Sequence, residues 1–183
     1  MHATHQPIAS HVPSTLAEVY RDYYQTVAHW AWHLGGPDVE AEDAVQEIFL
    51  IVSRKMAHFR GEAHFASWLY AITRKVVANH RRRQRWRFWR DKSPSRIDRV
   101  ASPALDPCAH LEQQQARVHL YRILDRLPEK YRMVLVLFEL ESMSTKEIAE
   151  ICQTKLSTVK VQLHRAREMF HEQHRQLLAK EPS

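Results

Sequence analysis

The clearest chemistry in the sequence lies between residues 155 and 167, where four Lys or Arg side chains occur without any acidic one. Ammonium and guanidinium groups neutralise phosphates and donate hydrogen bonds to base edges. On a helical wheel the apolar residues of this segment share one side, which we expect to be core: Val159, Leu163, Ala166 and Phe170. The opposite side carries Ser157, Val161, His164 and Glu168, flanked by Lys160, Arg165 and Arg167. Such a helix favours insertion into the DNA major groove, and a basic helix packed on a bundle is the alternative.

A second basic segment runs from Arg74 to Lys92, with nine Lys or Arg residues and one Asp. Trp86, Phe88 and Trp89 are interleaved with the arginines. Cationic groups beside aromatic planes suit a nucleic acid whose backbone is neutralised and whose exposed bases can stack. The alternative interpretation is an ordinary solvated helix end.

The segment from 37 to 59 predicts an amphipathic helix with two different faces. Its apolar stripe holds Val45, Ile48, Phe49, Val52, Met56 and Phe59. The other stripe holds Asp43, Gln46, Glu47, Leu50 and Arg54. An acidic stripe in a basic protein indicates a protein partner rather than DNA, because like charge is repelled by phosphate. A solvated helix face is the alternative.

Residues that could catalyse a reaction are not grouped in this sequence. It contains no nucleophile–base pair, glycine-rich phosphate loop or carboxylate cluster. His29 and His33 lie four residues apart, and His171 and His174 three, so either pair could bind a metal. Such pairs arise by chance among thirteen histidines. The two cysteines lack CxxC spacing, which argues against a disulfide scaffold or a cysteine zinc site. We therefore expect no enzyme activity, no metal and no cofactor.

The overall composition limits the class of protein. The 183 residues carry a formal net charge of +6, and the pI is near 9.5, which favours polyanionic partners. No apolar run approaches a membrane span, and the first residues lack the basic-then-apolar order of a signal peptide. With few cysteines, these features predict a cytoplasmic protein. Only three glycines occur and strand-like alternation is almost absent, so the fold should be all-α.

Breaks in the helical pattern predict two small helical domains joined by a flexible linker. The chain divides into a loose tail (1–14), a first domain (15–90), a Pro- and Ser-rich linker (91–110) and a second domain (111–178). Within the first domain, a Gly-Gly-Pro break at 35–37 is followed by Asp38, a plausible helix N-cap. The last helix of that domain is expected to end near Gln84.

The second domain carries the local signals of a helix-turn-helix. Pro128 suits a helix start, and Ser144 with Glu147 matches the capping-box pattern. Ala149 is small enough for two helices to cross closely. The tight turn often uses glycine, but here it reads "CQTKLS"; if Gln153 takes a positive φ in this turn, the strain costs about 1 kcal/mol.

Four segments occur in a fixed order: "AEDAVQEIFL", "FRGEAHFASWLYAITRK", "LPEKYRMVLVLFELE" and "STKEIAEICQTKLSTVKVQLHRAR". Together they resemble regions two and four of the extracytoplasmic-function (group four) sigma factors of the sigma-70 family. The resemblance covers roughly 15–87 and 112–177. It implies a promoter-specificity subunit with two partners, promoter DNA and core RNA polymerase (the beta-prime clamp and the beta subunit). It also implies restraint by an anti-sigma factor, often anchored at the inner membrane, and no small-molecule substrate.

The resemblance assigns roles to particular residues. The family's polymerase-binding face matches Asp43, Gln46 and Glu47. Base capture and melting at the minus-10 element match a loop and the helix after it: Arg60, Glu62, His64, Trp68, Arg74, Lys75, Asn79, Arg81, Arg82 and Arg83. Recognition of the minus-35 element matches the second helix of the helix-turn-helix and its start: Lys155, Ser157, Thr158, Lys160, Val161, His164, Arg165 and Arg167.

This chain departs from the family pattern at several of those positions. Lys75 stands where Asn is frequent, Asn79 where Asp is frequent, and Ala71 where Arg is usual. Val161 and Gln162 replace a common Ser and Arg. The promoter sequence of the family is therefore not carried over. A stand-alone helix-turn-helix regulator is the alternative function, and it would bind promoter DNA without polymerase.

Overall fold

The computed structural model describes residues 13–61, 64–91 and 107–179, which form helices and no strand, so the all-α prediction is confirmed. The helices are α1 (Leu16–Gly35), α2 (Ala41–Lys55), a 3-10 turn (Met56–His58), α3 (Phe65–Asp91), α4 (Pro107–Leu124), α5 (Glu129–Glu139), α6 (Thr145–Ile151) and α7 (Leu156–Leu178). We call residues 13–91 the N-terminal unit and residues 107–179 the C-terminal unit. Within the described ranges, no helix qualifies as a membrane-spanning segment.

The N-terminal unit packs α1, α2 and α3 around an apolar core. A capping box opens α1, since the Glu18 N–H donates to Thr15 Oγ1 at 3.2 Å and the Glu18 carboxylate accepts from the Thr15 N–H. Trp30 of α1 meets Tyr70 of α3 edge to face, with ring centres 5.1 Å apart. The apolar stripe predicted for α2 faces this core, with four members buried and two partly buried: Val45, Ile48, Phe49, Val52, Met56 and Phe59. This packing fixes the outer faces of α2 and α3 relative to each other.

Two predicted helix boundaries in this unit are wrong. Asp38 is not the N-cap of α2, which is Glu40, and the Glu40 side chain makes no capping hydrogen bond. The turn before α2 buries Val39 instead, so the helix begins later than the sequence pattern indicates. The third helix continues to Asp91 rather than ending near Gln84, because Arg and Gln favour a helix and no Gly or Pro interrupts this stretch.

In the C-terminal unit, α6 and α7 form the predicted helix-turn-helix and both pack on α5. The capping box is confirmed, because the Glu147 N–H donates to Ser144 Oγ at 3.2 Å and the Ser144 N–H donates to Glu147 Oε2 at 2.8 Å. Gln153 has a φ of 50°, so the turn carries the strain of a left-handed non-glycine residue, and Ser142 before α6 has a φ of 55°. The core side of α7 is buried at Val159, Leu163 and Ala166 and partly buried at Phe170. This packing determines which side of α7 faces the solvent.

Much of the predicted tail and linker, residues 1–12 and 92–106, lies outside the described residues. Helix α4 begins at Pro107, inside the stretch assigned to the linker. The two units touch where α1 meets α5 and where α3 meets α6. The division into two domains therefore stays a prediction.

Candidate nucleic-acid interface

The outer side of α7 is open to solvent, as the helical wheel predicts. Ser157 and His164 are exposed, and Val161 between them is 51% exposed. Lys155 forms the N-cap of α7, and Lys160 lies beside Val161; both are exposed. We call the predicted set the α7 face: Lys155, Ser157, Thr158, Lys160, Val161, His164, Arg165 and Arg167. Of these residues only Thr158 is partly buried. The surface therefore presents cationic, hydroxyl and apolar groups to the same partner.

Two arginines at the edge of the α7 face are engaged with α5. Arg167 donates from Nε and Nη2 to Glu139 Oε1, at 3.1 and 2.7 Å, and its guanidinium lies 4.9 Å from the centre of the Phe138 ring. A side-chain hydrogen bond from Arg165 lowers the pKa of the Tyr131 phenol. The structure thus holds these two cations beside the centre of the face.

The loop predicted to capture a base leads from the 3-10 turn into α3. Arg60 and His64 are exposed at its two ends, and Glu62 lies outside the described residues. Gly61 has a φ of 72°, a left-handed conformation that L side chains rarely adopt. Glycine is the residue that adopts this conformation without strain, and it follows Arg60 directly.

Trp68 lies just behind this loop in a cluster of three aromatic rings. Its ring centre is 5.2 Å from that of Phe59 and 5.3 Å from that of Phe65. Phe65 is buried, whereas Trp68 and Phe59 are only partly buried. Trp68 therefore anchors the loop to the core and keeps part of its ring at the surface, where a base can contact it.

The basic residues of α3 follow that loop along the helix. Arg74, Lys75, Arg82 and Arg83 are exposed. Asn79 is partly buried, and its Oδ1 accepts a hydrogen bond from Arg82 Nη2 at 3.3 Å. We call these five residues the α3 basic end. It offers several guanidinium and ammonium groups to a phosphate backbone.

Arg81 does not join its neighbours on that surface. Its side chain is buried, with only 7% of the residue exposed. Nη1 donates to Glu129 Oε2 at 2.7 Å and Nη2 donates to Asp125 Oδ1 at 2.6 Å. Both acceptors belong to the C-terminal unit. In this arrangement the guanidinium of Arg81 is held by carboxylates and is not available to phosphate.

The predicted acidic face on α2 is only partly free. Asp43 and Gln46 are exposed, but Glu47 is partly buried. Glu47 Oε2 lies 2.8 Å from His80 Nε2 and 3.8 Å from Arg83 Nη1, so α3 holds this carboxylate. His80 was not identified from the sequence, because its partner lies 33 positions away and no helical period connects them.

A groove of about 530 Å³ separates the start of α2 from the end of α3. Its α3 side includes Trp86, Arg87 and Arg90, which belong to the basic aromatic segment noted in the sequence but not to the residues assigned through the family resemblance. Trp86 is 73% exposed, and both arginines are exposed. Because α3 continues past Gln84, these groups project from a helix rather than from the coil that the sequence pattern indicated after Gln84.

In the described part of the chain, neither of the two histidine pairs that could bind a metal belongs to a larger group of possible ligands. No group of three or more His, Cys, Asp or Glu residues that could hold a metal occurs within the described ranges. The rings of His29 and His33 are 6.4 Å apart. Cys152 is a free thiol, and burial raises its pKa to about 11, so it is protonated near neutral pH.

Two family models match the chain, with Sigma-70 region 2 at residues 19–87 and Sigma-70, region 4 at residues 117–170. The ECF RNA polymerase sigma factor SigE of Mycolicibacterium smegmatis is 34% identical over 157 residues, which are 85% of this chain and 60% of that protein. The RNA polymerase sigma factor YlaC of Bacillus subtilis is 30% identical over 84% of this chain and 88% of its own length. The ECF RNA polymerase sigma-E factor of Escherichia coli is 30% identical over 72% of each chain.

Solved structures share the fold at lower sequence identity. CnrH, solved in complex with the cytosolic domain of CnrY, has a TM-score of 0.58 at 20% identity and covers 91% of this chain and 89% of its own. RpoE of Bartonella quintana, solved with the anti-sigma factor NepR, has a TM-score of 0.55 at 23% identity, covering 86% and 94%. These likenesses support the helical fold.

Proposed function

The chain belongs to the extracytoplasmic-function branch of the sigma-70 family, and we propose that it directs core RNA polymerase to promoters and starts transcription. The observation that carries this proposal is the presence of two separate exposed basic surfaces in one chain, on α3 and on α7. The α7 face suits the major groove of a duplex, whereas the α3 basic end and the loop before it suit a strand that is being opened. A promoter offers both forms of DNA to one protein.

The α7 face has the composition that base recognition requires. The Val161 side chain is free to contact a thymine methyl, the one apolar group in the major groove. Lys160 beside it provides a phosphate or guanine contact. Core side chains on the opposite side of α7 hold this surface at a fixed angle, so the helix enters the minus-35 element as a rigid body.

The N-terminal unit would melt the minus-10 element. Removing a base from the stack costs a few kcal/mol, so the protein must contact the exposed base and the separated strand. Arg60 and His64 flank the loop that would receive the base, and Trp68 lies next to it. The α3 basic end, continued by Trp86 and the arginines after it, would hold the strand through phosphates and stacking.

The exposed part of the acidic α2 face would bind core polymerase, with Asp43 and Gln46 at its centre and Leu50 beside them. Leu50 is exposed and supplies an apolar contact within that patch. Protein interfaces combine apolar contacts with polar groups, and this patch offers both. The expected partner surfaces are the beta-prime clamp and the beta subunit, and the expected location is the cytoplasm.

Restraint by an anti-sigma factor belongs to the same proposal. It is usual in the family that the chain belongs to, and the structurally similar RpoE was solved with the anti-sigma factor NepR. A membrane-anchored partner would hold the chain at the inner membrane. The promoter sequence and the releasing signal are separate questions.

Transcription in vitro tests the proposed function. Purified chain is mixed with core polymerase and with fragments of the genome that encodes it, and the transcripts are mapped. We expect discrete start sites that depend on both proteins. Sequence-specific DNA binding that does not need polymerase, with no start sites, would instead establish a stand-alone regulator.

A further inference from the structure

The groove between the start of α2 and the end of α3, which we call the α2–α3 groove, has walls of opposite charge. Its α2 wall carries the carboxylates of Glu40 and Asp43. Its α3 wall carries four arginines: Arg82, Arg83, Arg87 and Arg90. Among the ion pairs of the described residues, none joins Glu40 to an arginine of the opposite wall. The volume of about 530 Å³ is within the range of small-molecule sites, so a molecule fits between the two charges.

Glu40 is placed so that its carboxylate can accept hydrogen bonds from a ligand. It is the N-cap residue of α2, yet its side chain makes no capping hydrogen bond and the residue is exposed. The start of the helix therefore does not occupy this carboxylate. Asp43 already has a proposed partner in core polymerase, which leaves Glu40 as the acceptor that belongs to the groove.

Trp86 supplies an aromatic plane on the arginine wall. The residue is 73% exposed, whereas Trp30 in the core of the same unit is 1% exposed. Arg82 and Arg90 lie four residues before and after Trp86, so helical geometry places a guanidinium beside it in each direction along α3. An exposed ring among guanidiniums is the arrangement that stacks an unpaired base and binds its phosphate.

The α2–α3 groove is distinct from the loop that is proposed to capture a base of the minus-10 element. That loop ends where α3 begins, at Phe65. Trp86 lies about 30 Å further along the helix, at roughly 1.5 Å per residue. A base in the groove and a base in the loop would therefore belong to different nucleotides.

The charges of the two walls determine how a nucleotide would lie. Carboxylates repel phosphate, so the phosphates face the arginines and the base faces Glu40. An unpaired guanine presents N1–H and N2–H side by side on its Watson–Crick edge, and one carboxylate can accept from both. Adenine and cytosine offer a single amino group there, and thymine offers one N–H between two carbonyl acceptors. Glu40 therefore favours guanine most and thymine least.

We propose that the α2–α3 groove binds one unpaired guanine nucleotide. Its base stacks on Trp86 and donates to Glu40, and its phosphates contact Arg82 and Arg87. Both a free nucleotide and a melted DNA strand supply this chemistry. The inference deepens the proposed function, and it rests on that function where the nucleotide belongs to a strand.

Binding of free nucleotides is measured by isothermal titration of the full chain with dGTP, dATP, dCTP and dTTP. We expect dGTP to bind roughly five-fold or more tightly than dTTP, the low end of what a bidentate base contact provides. Glu40→Gln should remove that preference, because an amide cannot accept both hydrogen bonds. Glu42→Gln is the matched control, since it makes the same change at an exposed residue of α2 that does not line the groove.

Binding of a strand is measured by fluorescence anisotropy of two labelled oligonucleotides, one of thymine alone and one with a single central guanine. We expect the same preference for guanine and the same loss of it in Glu40→Gln. Trp86→Ala should weaken binding of the guanine-containing strand roughly five-fold or more, because it removes one base–aromatic stack. Tyr20→Ala removes another exposed ring, on α1 and outside the groove, and should leave this affinity unchanged.

The two assays identify the source of the nucleotide. A guanine preference with dGTP supports a free nucleotide as occupant, and a preference with the oligonucleotide alone supports a DNA strand. Equal affinities for guanine and thymine in both assays, or equal preferences in Glu40→Gln and Glu42→Gln, would overturn the proposal. Weaker binding of Trp86→Ala to core polymerase, with unchanged nucleotide binding, would assign the groove to a protein partner instead.

The same data separate this inference from the proposed function. Neither binding assay contains polymerase. Absence of polymerase-dependent transcription would refute the proposed function and leave a guanine preference standing. Transcription by the parent chain without any guanine preference would overturn the inference alone.

Discussion

The α7 face and the basic stretch of α3 are made from similar side chains, yet they differ in how far those side chains are held by other elements. At the centre of the α7 face, Val161 and Lys160 are exposed, and only the edge arginines are bonded to α5. On α3, by contrast, Arg81 is buried by the other unit and Arg83 lies near Glu47. The centre of the α7 face is open to solvent, whereas two of the arginines at positions 81 to 83 of α3 lie close to carboxylates of other elements.

The difference arises because the side chains that contact each surface come from different parts of the protein. The side chains that flank the α7 face belong to the same unit, so folding of that unit alone completes the surface. On α3, Arg83 lies near Glu47 of α2 and the neighbouring Arg81 is bonded to Asp125 and Glu129 of the C-terminal unit, so this stretch of α3 has partners in both units. The surface proposed to recognise duplex DNA is therefore held by one unit alone. The surface proposed to melt DNA also has partners in the other unit.

The largest expected effect contrasts the two sides of α7. Leu163→Ala removes a buried side chain from the core of the helix-turn-helix and should lower the free energy of unfolding by about 2–5 kcal/mol. Val161→Ala, on the exposed side, should change it by less than about 0.5 kcal/mol. Urea unfolding followed by circular dichroism measures both. Similar losses for the two variants would show that the α7 face is not a free surface.

A second prediction concerns the free part of the α3 basic end. The double variant Arg82→Ala/Arg83→Ala should bind promoter DNA, as holoenzyme, with a salt dependence shallower by about 1.4 log units per log unit of salt, because each contact to a single-strand phosphate contributes about 0.7. The effect should be independent of promoter sequence. Arg54→Ala/Lys55→Ala, with the same loss of charge at the end of α2, is the control. An unchanged slope for the Arg82/Arg83 pair would remove these residues from the interface.

A third prediction concerns the acidic α2 face, where Asp43 is the cleaner target because Glu47 is also bonded to His80. Asp43→Lys should slow association with core polymerase by roughly tenfold at low ionic strength, since complementary charge steers encounter. Glu42→Lys, an exposed neighbour, should have a much smaller effect. Stopped-flow association measures both rates. Equal rates for the two variants at low salt would place the polymerase contact elsewhere.

The smallest effect is expected at a single base pair. Val161→Ser should change the preference at one position of the minus-35 element, at a cost of roughly 1 kcal/mol. Lys160→Ala should weaken binding to all sequences about equally, because phosphate contacts carry no sequence information. Selection from a library of minus-35 variants compares them. If the Val161→Ser chain selects the parent's bases at every position, Val161 makes no specific contact.

The sequence predicted those features whose causes are local. The box formed by Ser144 and Glu147 involves residues that are three apart in the chain. The buried and exposed sides of α7 follow from helical periodicity alone. All of these can be read from short segments, because their physical cause lies within one or two turns of helix.

The features that sequence analysis missed have distant causes. The partners of Arg81 lie 44 and 48 positions away, and no pattern in α3 marks this arginine as different from the next two. His80 meets Glu47 only because α2 and α3 pack side by side. The end of α3 was misplaced for another reason, since its last turns are held by helix propensity and carry no apolar stripe. Arg74, Lys75 and Arg82 were placed correctly at the surface because nothing from elsewhere covers them.

Mapping of open complexes tests the central claim most directly. A promoter found by transcription is incubated with core polymerase, with the parent chain, and with both, then probed by DNase I and by permanganate. We predict protection of the minus-35 element together with permanganate-reactive thymines at the minus-10 element, and only when both proteins are present. Reactive thymines with the chain alone, or protection without any melting in the complete mixture, would contradict the account.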